Sequence, residues 1–191
     1  MKPAAVVYST RAGHTRRIAE AITQGLGRQG LASKLFDLGE QAEPPDLRGF
    51  GSVVVAAPVR MGQFAPEIIA FVKAHRSELE RMPSAFVSVS LSAAGVEWSG
   101  ATPERRAKLG AYVRRVNERF FRRTGWHPSR IKNVGGALAY SRYSRLLRPL
   151  MQYFARRCGG STDTSRDHEY TDWVALDRTV AAWAKEMSAR A

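Results

Sequence analysis

Short apolar runs alternate with amphipathic stretches along roughly the first ninety residues of the chain. Four runs, rich in valine, alanine and phenylalanine, predict buried parallel strands: Ala4–Tyr8, Ser33–Leu38, Ser52–Ala57 and Ala85–Leu91. After the first run, apolar residues recur at helical spacing as far as Leu26, and Ala65–His75 has the same spacing, so each segment predicts a helix. This alternation predicts a doubly wound parallel sheet covered by helices on both faces.

The later part of the chain differs because its amphipathic stretches are rich in arginine. Thr102–Arg123 predicts a basic helix, and Asn133–Leu138 predicts a fifth strand. Tyr140–Arg157 is again apolar on one side and basic on the other, and Pro149 is expected to kink or interrupt it. Asp172–Arg190 predicts the last helix. The predicted fold class is therefore α/β, with five parallel strands.

The net charge is concentrated in this later part. The formal charge of the chain is +13, yet fifteen bases and a single acid, Glu118, lie between Arg105 and Arg157, so that segment alone carries +14. We predict one domain over residues 1–191, with a basic helical insertion at about 93–130 before strand five and a basic amphipathic segment at about 140–158. Such a basic surface indicates anionic partners.

The loop between the first predicted strand and the first predicted helix has the features of a phosphate site. Free N–H groups and the positive end of the helix dipole face such a loop, hydroxyl side chains add donors, and glycine permits close approach of a ligand. The candidate residues are Ser9, Thr10, Arg11, Ala12, Gly13, His14 and Thr15. This chemistry suits a terminal phosphate monoester, although the same residue types also cap helices that bind nothing.

A second glycine-rich stretch, Gly25–Gly30, matches the G-x-G-x-x-G pattern of dinucleotide-binding loops letter for letter. That pattern binds a pyrophosphate only where a strand turns into a helix. Here it lies at the carboxyl end of a predicted helix, which presents carbonyl groups. We therefore interpret these residues as helix-capping glycines.

Two further loops are expected to meet the phosphate loop, because ligands of doubly wound sheets bind outside the carboxyl ends of the strands. The candidates are Ala57, Pro58, Val59, Arg60, Met61 and Gly62 after the third strand, and Ser90, Leu91 and Ser92 after the fourth. Their backbone polar groups and small side chains suit the flanks of a flat ring. The histidines of the chain lack metal-ligand spacing, so no metal site is expected.

The Ser-Thr-Arg-x-Gly-x-Thr loop resembles the phosphate loop of flavodoxin-like proteins, which bind FMN. From about residue 3 to about residue 185, the chain also resembles the menaquinone-dependent protoporphyrinogen oxidases of bacterial haem synthesis. The matching positions are Arg60, Gly62, Met82–Phe86, Ser88–Ser90, Gly136–Leu138, Tyr140, Arg142, Tyr143, Gly159, Gly160, Thr162–Thr164 and Tyr170–Trp173. The late run from Gly159 to Trp173 is much more specific than the phosphate loop, which all flavodoxins share.

The resemblance implies a flavodoxin-like fold and an oxidoreductase in which FMN takes electrons from protoporphyrinogen IX and passes them to a membrane quinone, menaquinone or ubiquinone. Residues 9–15 would then hold the FMN phosphate, and residues 57–62 and 90–92 would surround the isoalloxazine ring. No side-chain catalyst is expected, because the redox chemistry belongs to the cofactor. In a departure from ordinary flavodoxins, neither ring-flanking loop contains a stacking aromatic residue, although Phe64 and Trp98 lie just beyond.

The basic segments leave three interpretations open: a solvated surface, an anionic membrane surface or a nucleic-acid site. The separation of arginines from leucine, methionine and aromatic residues favours the membrane, and no nucleic-acid-binding signature is present. We expect a cytoplasmic protein, peripherally associated with the cytoplasmic face of the inner membrane; the single cysteine, Cys158, fits a reducing compartment. The alternative functions are a flavodoxin-type electron carrier, which should be acidic near its flavin, and an NAD(P)H:quinone reductase.

Overall fold

A five-stranded parallel sheet forms the centre of the protein in a computed structural model that describes residues 2–40 and 44–189. The strands are β1 Ala4–Tyr8, β2 Ser33–Asp37, β3 Ser52–Arg60, β4 Gln63–Phe64, β5 Ser84–Ser90, β6 Arg130–Gly135, β7 Ala137–Leu138 and β8 His168–Glu169. The parallel order is β2-β1-β3-β5-β6, while β4 pairs antiparallel with β3 and β7 with β8. The prediction of a doubly wound, five-stranded parallel sheet is confirmed.

Helices cover both faces of this sheet, as parallel strands require. They are α1 His14–Arg28, α2 Pro66–Ala74, α3 Arg76–Arg81, α4 Leu91–Glu97, α5 Pro103–Thr124, α6 Leu147–Cys158 and α7 Trp173–Ala189. α1 and α7 pack on one face, and α2, α3 and α5 pack on the other. Over residues 2–40 and 44–189, none of the helices combines the length and the apolarity needed to cross a bilayer.

The G-x-G-x-x-G stretch lies at the end of α1, but Gly25 and Gly27 are inside the helix and only Gly30 follows it, so the prediction of capping glycines fits Gly30 alone. Gly25 is inside the helix, and a Cβ atom there would approach Cγ1 of Val180 in α7 to 2.8 Å. Gly30 follows the helix with a φ of 79°, a left-handed conformation that favours glycine. These glycines therefore serve helix packing and helix termination.

The third strand is longer than the sequence pattern predicts. Its predicted end at Ala57 is wrong, because β3 continues through Pro58 to Arg60. A proline is tolerated there because β1 pairs with β3 only as far as Ala56, so one side of the strand is unpaired beyond that residue. The hairpin formed by β3 and β4 therefore projects past the end of β1.

The prediction of one strand over Asn133–Leu138 is also wrong. β6 begins earlier, at Arg130, and ends at Gly135, where a Cβ atom would lie 2.4 Å from the carbonyl oxygen of Tyr170. Gly136 separates β6 from β7, which leaves the main sheet and pairs with β8 instead. The resulting β7–β8 ribbon closes the excursion formed by residues 139–167.

The basic helix before β6 belongs to the core layer. α5 buries Leu109, Val113, Val116 and Phe120, while its arginines lie outside. Phe120 stacks on Phe86 of β5 with ring centroids 4.9 Å apart. The sequence pattern suggests a charged addition to a neutral domain, but this packing makes α5 an integral helix that carries its charge on the outer face.

The second basic segment is broken into two parts. A 3-10 turn covers Tyr140–Arg142, and α6 begins only at Leu147. The segment is interrupted, as the proline led us to expect, and Pro149 lies in the first turn of α6, where its missing N–H is not needed. A Cβ atom on Gly95 of α4 would lie 2.1 Å from the carbonyl oxygen of Cys158, so α6 packs tightly against α4.

Candidate functional site

The amino end of α1 is arranged to bind an anion. Gly13 is the N-cap residue, with a φ of 82°, and no side chain caps the helix. The hydroxyl of Thr10 accepts a hydrogen bond from the Gly13 N–H at 3.0 Å, which folds the loop towards the helix. The N–H groups in the first turn of a helix have no acceptor within it, and the helix dipole is positive at this end. A phosphate group suits this position.

Arg142 lies against the same loop. Its guanidinium donates a hydrogen bond to the carbonyl oxygen of Ala12 at 2.9 Å. A Cβ atom on Gly13 would approach Nη1 of Arg142 to 3.0 Å, so glycine keeps the guanidinium close to the backbone. Arg142 is one of the positions that carry the family resemblance, but its distance from the loop along the chain hides this contact from the sequence pattern.

A cleft of about 500 Å³ lies between this loop and the β7–β8 ribbon. Most of its charged side chains pair with one another: Arg16 with Asp37 and Glu40, and Arg17 with Glu169. In the part of the chain that the structure describes, Arg11 and Arg142 form no ion pair. These two guanidinium groups are therefore available to an anionic ligand.

Asp167, on the far wall of the cleft, holds the β7–β8 side in place. Its carboxylate accepts hydrogen bonds from the backbone N–H and the hydroxyl of Ser141, at 2.8 and 2.7 Å. These bonds lower the pKa of Asp167. Because Ser141 belongs to the 3-10 turn that contains Arg142, these two hydrogen bonds hold that turn against Asp167.

Four candidate residues lie beneath the surface of the loops. Ser9 is 1% exposed, and its hydroxyl donates to Oε1 of Glu67 at 2.5 Å. Thr15 and Ala57 are buried, and Val59 packs against the core cluster below β3. The side chains of these residues therefore support the loops, whereas Thr10 to His14 line the cleft.

The imidazole of His14 connects α1 to the neighbouring elements. Its Nε2 lies 2.8 Å from Oγ1 of Thr171, whose hydroxyl donates to the carbonyl oxygen of Gly135 at 2.6 Å, so Nε2 must be the donor to Thr171. Trp173 packs edge-on at a centroid distance of 6.1 Å. Burial lowers the pKa of His14, against the opposing charge of Glu169. A neutral imidazole thus joins α1 to the end of β6.

The β3–β4 hairpin brings Arg60 close to the phosphate loop. Burial and the charge of Arg11 lower the pKa of the Arg60 guanidinium, and Glu67 opposes them. Met61 and Gly62 form the turn, with φ values of 47° and 77°, as in the two-residue turns that suit a twisted hairpin. Met61 is 80% exposed at its tip.

The expected loop after the fourth parallel strand is wrong, because α4 begins at Leu91 directly after β5. The hydroxyl of Ser90 accepts a hydrogen bond from the Ala93 N–H at 3.0 Å and caps this helix. Ser92 lies 3.6 Å from the sulfur of Cys158, and Leu91 packs against a small apolar cluster. These candidates therefore form the start of a helix at the carboxyl edge of the sheet.

Neither aromatic residue that follows the predicted ring loops lies at the site. Phe64 is in the core, with its ring centroid 5.2 Å from that of Phe86. Trp98 packs against Arg105 of α5. Tyr143 is instead near Arg60: burial raises the pKa of its phenol, and the charge of Arg60 opposes that rise. The sequence signal for Tyr143 lies in the family resemblance alone.

Comparisons with known proteins agree with this architecture. A family model described as a flavodoxin domain matches residues 5–165. Protoporphyrinogen IX dehydrogenase (quinone) of Escherichia coli strain K12 is 33% identical over 184 residues, covering 96% of this chain and 93% of that protein. The protein of the same name from Leishmania major is 33% identical over 180 residues, covering 94% of this chain and 73% of that protein.

Solved structures share the fold at low sequence identity. Oxidised flavodoxin 1 from Bacillus cereus has a TM-score of 0.53 at 11% identity, covering 96% of this chain and 97% of that chain. Rubredoxin oxygen:oxidoreductase from Desulfovibrio gigas has a TM-score of 0.52 at 13% identity, covering 99% of this chain and 37% of that chain. The flavodoxin-like fold and the resemblance inferred from sequence are both confirmed. The chain belongs to the flavodoxin domain family and, within it, to the protoporphyrinogen IX dehydrogenases (quinone), which are oxidoreductases.

Proposed function

We propose that this protein oxidises protoporphyrinogen IX to protoporphyrin IX with bound FMN, and that it passes the electrons to a respiratory quinone, menaquinone or ubiquinone, in haem biosynthesis. The observation that carries the proposal is the uncapped amino end of α1 at Gly13, with Arg142 beside it in the wall of a cleft. The relatives named above supply the substrate class and the acceptor class.

FMN fits the residues of the phosphate loop. The backbone N–H groups of residues 11, 12, 14 and 15, the hydroxyl of Thr10 and the guanidinium groups of Arg11 and Arg142, which form no ion pair among the described residues, are donors of the kind that bind a phosphate monoester. Gly13 leaves no room for a side chain beside Arg142, so the loop is built for backbone contact. When bound, FMN would carry electrons from the porphyrinogen to the quinone two at a time; because a porphyrinogen loses six electrons in becoming a porphyrin, one product requires three such cycles and three quinone molecules.

The hairpin and the start of α4 would flank the isoalloxazine ring. Pro58 is in register with Val89, one residue before the N-cap of α4, so the two segments are neighbours at the carboxyl edge. Arg60 is half-buried there without an ion pair among the described residues. A propionate of the porphyrinogen would therefore be a favourable partner for Arg60.

The proposal includes peripheral association with the cytoplasmic face of the inner membrane. Between Tyr140 and Cys158 the chain has five arginines and no acidic residue. Each basic residue close to an anionic membrane surface contributes about 1 kcal/mol of attraction. A quinone and a porphyrinogen are apolar enough for delivery from the bilayer to be an advantage.

Anaerobic mixing of the FMN-loaded protein with protoporphyrinogen IX tests this function. Without an acceptor, the visible absorbance of the flavin should be lost in a single turnover, and a quinone added afterwards should restore it. NADPH should leave the flavin oxidised. Reduction by NADPH but not by the porphyrinogen would support the quinone reductase, and reduction by neither would support an electron carrier; both results overturn the proposal.

A further inference from the structure

Large apolar side chains are exposed mainly along one edge of the molecule. This edge holds the carboxyl ends of the parallel strands, the β3–β4 hairpin and α6. The start of α5 also lies here, because α5 runs back across the sheet to the beginning of β6. The exposed side chains at this edge are Met61, Trp98, Tyr112, Leu146, Leu147, Leu150 and Tyr153. Val174, at the start of α7, is also exposed at this edge, because Thr171 just before that helix bonds to Gly135 at the end of β6. Elsewhere in the part of the chain that the structure describes, only Ile131 is large, apolar and exposed.

α6 is apolar on two sides. On its inner side, Met151 and the fully buried Ala155 pack against the protein. On its outer side, Leu146, Leu150 and Tyr153 are 89%, 40% and 53% exposed. Residues three or four positions apart share one face of a helix, so these side chains form a stripe. A helix at a water-exposed surface is normally polar on its outer side, so the stripe indicates a partner.

The β3–β4 hairpin continues this apolar surface from a distant part of the chain. Met61 adopts a left-handed conformation that residues other than glycine, asparagine and aspartate rarely take, and it is 80% exposed. The hydroxyl of Tyr112 lies 3.0 Å from the Cβ position of Gly62, so α5 meets the hairpin at this point. Three elements therefore bring apolar side chains to the carboxyl edge of the sheet, the edge at which the loop of residues 9–15 also lies.

Arginines border the same surface. Arg105 of α5 donates hydrogen bonds to the carbonyl oxygens of Arg156 and Arg157, at 2.9 and 3.2 Å, which fixes the end of α6 beside the start of α5. A surface that combines exposed apolar side chains with guanidinium groups suits an anionic bilayer. The acyl region accepts the apolar side chains, and the anionic headgroups pair with the guanidinium groups. A second copy of this chain would bring like charges together, and nucleic acid would leave the leucines exposed.

We propose that this edge, defined by Met61, Tyr112, Leu146, Leu150 and Tyr153 and here called the docking edge, is the surface that binds an anionic lipid bilayer. The mouth of the candidate site then faces the lipid. This inference deepens the membrane association in the proposed function and rests on it. Its consequence is that an apolar substrate and acceptor reach the cleft without crossing water.

Fluorescent labelling at single cysteines tests the orientation. In a Cys158→Ser background, an environment-sensitive fluorophore is attached to Leu150→Cys, Met61→Cys or, as the matched control, Ile131→Cys, which is 48% exposed at the opposite edge. With vesicles of equal parts phosphatidylglycerol and phosphatidylcholine, the first two labels should shift to shorter wavelength and the third should not. A shift at all three positions, or at Leu150 alone, would overturn the docking edge.

Co-sedimentation with the same vesicles tests the energetics. Replacing Leu146 and Leu150 by glutamine should weaken binding about tenfold or more, whereas Ile131→Gln should leave it unchanged. Replacing Arg145 and Arg156 by glutamine should weaken binding mainly at low salt, and Arg81→Gln is the matched control. Equal binding by all variants, no vesicle binding, or a lipid-independent dimer that buries the stripe would each refute the proposal.

FMN uptake, measured on the same samples without vesicles, separates this inference from the proposed function. If the unmodified protein takes up FMN normally but does not bind vesicles, the docking edge is refuted and the proposed flavin chemistry is not. If the protein binds vesicles but does not take up FMN, the proposed flavin chemistry is refuted and the docking edge is not.

Discussion

Arg142 donates a hydrogen bond to the carbonyl oxygen of Ala12, although the two residues are 130 positions apart in the chain. The contact makes the 3-10 turn after β7 part of the phosphate loop, so we expect Arg142→Ala to weaken FMN binding about tenfold, the effect of losing one charged donor at an exposed site. Quenching of flavin fluorescence measures the dissociation constant. Arg145→Ala is the matched control, and equal affinities for the two variants would contradict the assignment.

Gly13→Ala should lower both the stability of the protein and its affinity for FMN. The φ of 82° is unfavourable for alanine, and the added Cβ would lie 3.0 Å from the Arg142 guanidinium. We expect a loss of about 1 kcal/mol in the free energy of unfolding, together with a greater loss of FMN affinity.

Gly27→Ala in the same helix provides the control for that change. No atom lies within 4 Å of its Cβ position, and its φ is not positive. Alanine should therefore stabilise α1 by about 0.5–1 kcal/mol and leave flavin binding intact. Urea unfolding of both variants gives the comparison, and a Gly13→Ala protein as stable as Gly27→Ala would exclude backbone strain at the loop.

Gly95→Ala should detach α6 from the rest of the molecule. Its Cβ would lie 2.1 Å from the carbonyl oxygen of Cys158 and 2.5 Å from Cδ1 of Leu109, so the two helices cannot keep their present distance. Faster proteolysis between residues 139 and 167 would report the detachment. Gly110→Ala, whose Cβ would meet only Nη1 of Arg114 at 3.5 Å, should show no increase. Equal protection of both variants would contradict the packing.

His14 should make stability depend on pH near neutrality. Burial lowers the pKa of the folded imidazole below its ordinary value of 6.5, so the unfolded chain binds the proton more readily. The contribution of His14 to the free energy of unfolding is therefore fully present above pH 6.5 and is lost as the pH falls from there to the lower folded-state pKa. Urea unfolding of the wild type and His14→Gln measures this, and an unchanged slope in the variant would refute it.

The sheet and the turn from β1 into α1 were predictable because their signals are local. The β-branched run at Val53–Val55 favours an extended strand, and glycine at position 13 permits the positive φ that the loop adopts, so both signals lie within a few residues. The end of β3 was not predictable in the same way. Whether Pro58 breaks a strand depends on where β1 stops pairing, which a single run of residues does not encode.

The far wall of the cleft was hidden from the sequence for a different reason. β7 and β8 contribute two residues each, too few to show a hydrophobic period, and they are separated by the whole of α6. The sequence also does not show which apolar side of α6 faces inward. Leu150 and Met151 are both apolar, yet Leu150 is exposed and Met151 packs against the protein. Sequence pattern identifies an amphipathic helix here, but only packing tells its two apolar sides apart.

The most direct measurement of the proposed function is the appearance of protoporphyrin fluorescence under anaerobic conditions, with purified protein, FMN, protoporphyrinogen IX and a quinone. We expect sustained turnover only when FMN and the quinone are both present, and a reduced rate for Arg142→Ala at FMN concentrations that saturate only the wild type. Turnover that persists without FMN, or no turnover with all components present, would contradict the function proposed here.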